Sequence, residues 1–247
     1  MFHTSRTGSS VLGNMLDQHP DLSWRKESFN FNVRNREYLE MDDPVRRLLR
    51  DLRDGTWSRY VGIEVVPYQL RRYLDLDLPA FLEILRDLDY RPAILLHRRN
   101  LLRKIVSALV ARKRERWRFA AHETVPFTTI AIDVERVPRT GPGADTRPLI
   151  EILELSERRV AELQRALDDV LELIYEEDVE ADPRVGYRKI CRHVGLPPHP
   201  VEIRDRRANP YPLSRVVENY DVLVAYLRGT RFEWMLEEEP TGGSTRG

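Results

Sequence analysis

Three groups of residues in this chain could do chemistry. The first is the run Ser5-Arg6-Thr7-Gly8-Ser9-Ser10, between a short apolar start (1–4) and Val11, Leu12, Met15 and Leu16 at helical spacing. A strand, a Gly/Ser/Thr loop and a helix N-terminus make an anion site, because unpaired backbone N–H groups and the positive end of the helix dipole converge on the ligand. Gly8 permits close backbone approach, Thr7, Ser9 and Ser10 carry hydroxyls, and Arg6 adds a positive charge. The same residues would also suit an ordinary helix N-cap in a serine-rich turn. The second group lies in LLHRRNLLRKIVSALVAR, where Arg99 and Ser107 stand eight residues apart. An arginine at a strand end offers charge-assisted, bidentate contacts and a hydroxyl adds a directional donor; a basic solvated helix face is the plainer reading. The third group is a pair of acids, Glu27 in WRKESFNF and Glu64 in VGIEVVPYQL, either of which could accept a proton. Glu27 could equally pair with Arg25 or Lys26 at the surface. His97 and His122 are isolated, and no spacing of histidines with acids suggests a metal site.

The loop is not the ATP/GTP-binding loop. That motif needs GxxxxGK[ST], with its lysine on the terminal phosphates and its hydroxyl on Mg²⁺. Here the glycine is single and no lysine follows it. A nucleotide with less charge to neutralise, used without a metal, fits better.

These residues need a scaffold that brings strand ends to one edge, and the pattern reads as α/β. Asp43-Pro44 opens a helix through Val45, Leu48, Leu49 and Leu52, with Gly55 as its stop. Residues 60–66 read as a strand, and Pro79 opens a helix carrying Phe81, Leu82, Leu85 and Leu88. Residues 93–97 have the continuous apolar character of a buried parallel strand, with a helix from about Asn100. A long helix is predicted over 149–170, a strand over 171–175, a helix from Asp182-Pro183 to Gly195, and a final helix over 214–227. Strands separated by helices imply right-handed βαβ units and a parallel sheet covered on both faces. Ligands on such sheets bind at the carboxyl ends of the strands. Residues 1–239 are expected to form one domain, with 113–148 as an irregular insertion or flap and 240–247 as a disordered tail. Residues 1–4 are a short support for the loop, since buried strands ordinarily have about five or six residues.

At 247 residues the chain has ample length for a buried core, and 41% hydrophobic with 32% charged residues suits a soluble globular protein. No segment has the run of about eighteen apolar residues that a membrane span needs, and residues 1–10 do not read as a secretory signal. A formal net charge of zero gives no electrostatic reason to expect nucleic acid or anionic lipid as partner. The single Cys191 excludes an internal disulfide, so a reducing cytoplasm is the expected location. Lysine occurs at 26, 104, 113 and 189 among forty basic residues, and arginine supplies the rest.

In this combination the sequence resembles the sulfotransferases that use 3′-phosphoadenosine-5′-phosphosulfate (PAPS), especially the bacterial and Golgi carbohydrate type. SRTGSSVLGNMLDQHP is similar to their 5′-phosphosulfate loop, which assigns Arg6, Thr7, Gly8, Ser9 and Ser10 to the 5′-phosphosulfate. In that family an arginine at a strand end and a serine eight residues on bind the 3′-phosphate, which implies Arg99 and Ser107 here. LIYEEDVEADPRVGYRKICRHVGLP resembles a further strand–helix stretch of the family. RRANPYPLSRVVENYDVLVAYLRGTRFEWML resembles its C-terminal segment, where a loop closes over the nucleotide, so the resemblance offers Arg206 and Arg207 as phosphate contacts. A glutamate followed closely by an aromatic residue implies Glu27 as general base, with Glu64 as its rival. The family reading is a P-loop-like parallel sheet flanked by helices. It implies sulfuryl transfer from PAPS, leaving 3′,5′-ADP, to a hydroxyl or amine of a carbohydrate, glycolipid or small metabolite, with Arg6 stabilising charge and no metal. A nucleotide kinase-like phosphotransferase and a non-catalytic nucleotide-binding protein of the same fold are the other readings. Oligomeric state is open.

Overall fold

Five short runs form parallel strands in a computed structural model that describes residues 1–32, 34–138 and 145–237. They are β1 (Phe2–His3), β2 (Leu22–Arg25), β3 (Tyr60–Ile63), β4 (Ala93–His97) and β5 (Val170–Ile174). β1, β4 and β5 form a parallel sheet in that order, with Phe2 opposite Leu95 and Leu95 opposite Glu172. β2 pairs in parallel with β3, from Leu22 opposite Tyr60 to Arg25 opposite Ile63. Just past β3 the chain meets β1. Phe2 bridges Val65, the His3 N–H donates to the Val65 carbonyl at 3.1 Å, and the Val65 N–H donates to the Met1 carbonyl at 2.9 Å. The resulting order is β2-β3-β1-β4-β5, all parallel. The chain leaves β1 toward β2 and leaves β4 toward β5, so the order reverses between β1 and β4. Ligands of such sheets bind at that reversal, on the carboxyl edge.

The helices are α1 (Ser9–Leu16), α2 (Pro44–Asp54), α3 (Pro67–Leu74), α4 (Leu78–Asp87), α5 (Leu101–Lys113), α6 (Leu149–Ala166), α7 (Tyr175–Asp178), α8 (Arg184–His193), α9 (Leu213–Val216) and α10 (Tyr220–Leu227). Their starts are chemically explicit. Asp43 accepts from the Arg46 N–H and Asp77 from the Ala80 N–H, each with a proline in the first turn, while Asn100 accepts from the Arg103 N–H. Such caps are worth about 1 kcal/mol each.

The described residues of 1–97 with 161–204, and those of 98–160 with 205–237, group into two compact units. In the first, strand alternation divides the core into two layers. Phe2, Ile63, Val65 and Leu95 pack with Leu48 and Leu49 of α2, Phe81 and Leu85 of α4, and Leu163 and Leu167. Ile94, Leu96 and Leu173 pack on the other face with Leu12, Met15 and Leu16 of α1 and Tyr187, Ile190 and Cys191 of α8. The sheet is thus covered on both sides, as its apolar strands require.

The second unit has its own core of Leu102, Ile105 and Val106 from α5, Leu149 and Leu153 from α6, Leu213 and Val216 from α9, and Leu223 and Leu227 from α10. Residues 113–138 carry little regular structure, yet Ile130, Ile132, Val134 and Val137 are buried in that core. Two short antiparallel pairs, Phe119–Ala120 with Asp205–Arg206 and Val137–Pro138 with Thr146–Arg147, complete the unit. The tail at 240–247 and part of the expected flap, 139–144, lie outside the described residues.

Three details depart from the sequence reading. β2 and α3 form where no element was expected. α6 ends at Ala166, and β5 already begins at Val170. The final helix is broken into α9 and α10, because Val217 pairs with Ile130 and the Asn219 side chain bonds both backbone groups of Ile132.

Candidate active site

The loop after β1 is shaped by two left-handed residues, Arg6 (φ 65) and Gly8 (φ 86). At Gly8 both the conformation and the space demand glycine. A Cβ there would stand 2.7 Å from Val179 Cγ1 and 3.1 Å from Tyr175 Cδ2. The floor under the loop is fixed in turn. Buried Asp178 accepts from the Ile174 N–H at 2.8 Å and pairs with Lys189 Nζ at 2.6 Å, setting the turn that carries Tyr175 and Val179. Gly8 caps α1 with no side-chain bond, so the first amides of α1, from Ser9 onward, have no intrahelical acceptor. Thr7 is fully buried and its hydroxyl donates to the Thr4 carbonyl at 2.8 Å, so its side chain closes the loop. Arg6 and Ser10 are half-buried, and Ser9 is 9% exposed.

Glu27 leaves the carboxyl end of β2 in a tight turn, itself left-handed (φ 48), with the Asn30 N–H donating to the Glu27 carbonyl at 3.0 Å. Its half-buried carboxylate accepts from Asn30 Nδ2 at 2.9 Å. The turn is anchored on both sides: Ser28 Oγ donates to the Arg25 carbonyl, and Phe29 and Phe31 are buried beneath it. Lys26 Nζ bonds Asn14 Oδ1 on α1, which ties this turn to the helix that carries the loop. Tyr68, at the head of α3, lies within electrostatic reach. Burial, then Tyr73 and the Glu27 carboxylate, raise its phenol above the ordinary value. Sequence reasoning passed over Tyr68, although its place just after a strand on the carboxyl edge was the available signal.

Glu64 has a different setting. It is 1% exposed, accepts from Trp24 Nε1 at 2.9 Å, and stands 3.6 Å from His3 Nε2. Burial pushes its carboxyl up, but the His3 ring and the Trp24 N–H together hold it below the ordinary value. A Cβ at Gly13 would collide with its Oε1 and stand 3.0 Å from Trp24 Nε1, so α1 packs directly on this cluster. Glu64 therefore joins β1, β2, β3 and α1 in a buried polar cluster.

In the second unit, Arg99 is exposed just before the cap Asn100, and Ser107 is 7% exposed two turns into α5. Lys104, one turn before Ser107, is also 7% exposed. Burial, then Arg159 and Arg98, push its ammonium down to about 8. Arg207 is half-buried after the short strand Asp205–Arg206, and Arg206 is exposed. His97 Nε2 bonds Glu172 Oε1 at 2.6 Å, to which Gln164 Nε2 also donates. His122 is exposed. Among the described residues no cluster of three or more His, Cys, Asp or Glu side chains is gathered as metal ligands would be, and no helix is long and apolar enough to cross a membrane.

A cavity of about 310 Å³ in the first unit lies at the opposite, amino ends of the strands, between Met1, Tyr60, Leu85, Pro92, Leu167 and Val194. It is lined mainly by apolar side chains and lies away from the loop and Glu27, so it is not part of the candidate site.

The parallel sheet, its helices on both faces and the glycine loop after the central strand form a P-loop-like α/β fold. The crystal structure of a sulfotransferase from Alicyclobacillus acidocaldarius matches over 96% of this chain and 96% of that one, with a TM-score of 0.50 at 18% identity. At that identity the likeness is one of fold. No protein-family model matches the chain, and no curated protein does.

Proposed function

We propose that the protein is a sulfotransferase that moves a sulfuryl group from PAPS to a hydroxyl or amine of a carbohydrate, glycolipid or small metabolite. The observation that carries this reading is the Gly8 loop. It is an anion cradle at the carboxyl end of the central strand, in a sulfotransferase fold, and it lacks the lysine of an ATP loop. The loop's backbone is packed directly on the chain beneath it, since even a methyl group at position 8 would meet Val179.

PAPS, when bound, supplies the transferable sulfuryl group and a 5′-phosphate leaving group. Glu27 takes the acceptor's proton as the acceptor oxygen bonds to sulfur and the sulfur–oxygen bond to the 5′-phosphate breaks, leaving 3′,5′-ADP. Arg6 and the first amides of α1 neutralise the charge that develops on the leaving oxygen. Ser9 and Ser10 add hydroxyl donors, whereas Thr7 contributes by holding the loop closed. Arg99 and Ser107 are assigned to the 3′-phosphate, with Arg207 as a further phosphate contact. Glu27 is preferred to Glu64 as base because Glu64 is enclosed and engaged by Trp24 and His3. This reaction uses no metal.

The test has two parts. Transfer of label from ³⁵S-PAPS is measured across a panel of sugar, glycolipid and phenolic or amine acceptors. Calorimetry then compares 3′,5′-ADP with 5′-AMP. Tighter binding of 3′,5′-ADP is expected; equal binding of the two would remove the 3′-phosphate assignment to Arg99 and Ser107.

A further inference from the structure

Gln69 stands in the first turn of α3 with an unfinished hydrogen bond. It is 3% exposed, and its Oε1 has no partner among the described residues. From the third helical position a glutamine commonly turns back to accept from the N-cap amide. Here the N-cap is Val66, which makes no side-chain cap bond, and the Gln69 oxygen does not accept from it. The Gln69 N–H donates to the Val66 carbonyl at 2.8 Å, so the backbone of the turn is closed without the side chain. A buried acceptor left without a donor is costly, and its retention points to a group that approaches from outside the chain.

Its place in the fold says what approaches. α3 opens on the carboxyl edge of the sheet, just past β3. Gln69 and Tyr73 are four residues apart and share a helix face. The Tyr73 ring meets Phe31 edge-on at 5.9 Å, so this face packs on the segment that carries Glu27. Helical side chains lean toward the N-terminus, which carries Gln69 toward the carboxyl edge. In the Glu27 turn, Asn30 donates to the carboxylate at 2.9 Å. Tyr68, the neighbour of Gln69, is acted on from both sides. Burial, then Tyr73 and the Glu27 carboxylate, raise its phenol, and the Gln69 amide opposes them.

We propose that Gln69 is a specificity residue of the acceptor site, its Oε1 accepting a hydrogen bond from a second O–H or N–H of the acceptor, beyond the one that reacts. The favoured acceptor is therefore a polyol or amino alcohol rather than a simple alcohol, phenol or amine. This role rests on the function proposed above, with Glu27 as base.

Paired acceptors test it. Methyl glucoside and methyl galactoside are compared with their monodeoxy derivatives, and vicinal cyclohexanediol with cyclohexanol, in transfer from ³⁵S-PAPS. The unaltered protein should favour a parent over its analogue by about 10- to 100-fold in kcat/KM, because the analogue leaves Oε1 unpaired. Gln69→Leu should bring parent and analogue to the same kcat/KM, with 3′,5′-ADP affinity unchanged. Its stability in urea should be equal or higher, since the variant removes an unpaired buried oxygen. A fall in stability would mark Gln69 as structural and overturn the role. Equal use of every parent and analogue by the unaltered protein would also overturn it, and would leave the sulfotransferase reading standing. The Gln69 side-chain amide signals in NMR, identified by their loss in Gln69→Leu, give a readout without turnover. With 3′,5′-ADP present they should move on addition of the diol or a parent sugar and stay in place with cyclohexanol. Signals that move without any transfer remove the reaction and keep the contact. Signals that move with no diol or sugar overturn the contact, whatever the activity.

Discussion

The loop at 5–10 is set in place by two left-handed residues, Arg6 and Gly8, the second a glycine that Val179 and Tyr175 leave no room to replace. At the head of α5 the backbone is an ordinary capped helix, and Arg98 and Lys104 are buried there. The first arrangement depends on shape and does not titrate. The second places charged side chains among apolar ones, and burial pushes the Lys104 ammonium down to about 8. The two regions should therefore respond to substitution in different ways.

The largest test separates holding from chemistry. Glu27→Gln should lower turnover by about 10²- to 10⁴-fold while nucleotide affinity, read by calorimetry, stays at the unaltered level. Unchanged turnover would remove Glu27 as base. Gly8→Ala tests the shape-dependent half. Left-handed strain and the approach to Val179 should weaken nucleotide binding by about 100-fold, with no change in its pH dependence. A variant that bound normally would show that the loop does not meet the ligand.

Glu64→Gln probes the support under the loop, with an expected loss of about 2 kcal/mol in urea unfolding at neutral pH. The folded carboxyl is held below its ordinary value. Its contribution is therefore present above the unfolded value of roughly 4.3 and disappears as pH falls through the lower folded value. The variant should have a flatter acid limb of stability, and an unchanged limb would count against the His3–Glu64–Trp24 cluster. Smallest is Tyr68→Phe, for which a rise of about three- to tenfold in acceptor KM at constant nucleotide affinity is expected from the loss of one hydroxyl contact. No change in KM would place the acceptor elsewhere.

The parts legible in the sequence are those fixed by local chemistry. The apolar run 93–97, the cap at Asn100, Asp43-Pro44 and Asp182-Pro183 each announce an element within a few residues of where it stands. β2 escaped because its Leu22 and Trp24 alternate with polar residues amid an otherwise polar stretch, and it exists by pairing with a strand nearly forty residues away. The break between α9 and α10 depends on Asn219 reaching the backbone of Ile132, which no helical periodicity records. At the site, residue types were readable and conformations were not: nothing in SRTGSS or WRKESF gives the left-handed turns at Arg6 and Glu27. Nor does spacing separate Glu27 from Glu64. Their burial differs, with Glu64 enclosed and held by Trp24 and His3. Lys104 was invisible for the same reason, since α5 is buried at nearly every position of its first two turns and amphipathic reading gives no inward face to inspect.

That buried lysine also bears on covalent chemistry. An amine that titrates at about 8 is a free nucleophile for much of the time at pH 8, whereas an ordinary lysine, near 10.4, is not. Four lysines make a short map for mass spectrometry. Lys104 is the one whose acylation would be limited by access rather than by protonation. Its labelling rate would act as a clock for transient opening of the second unit.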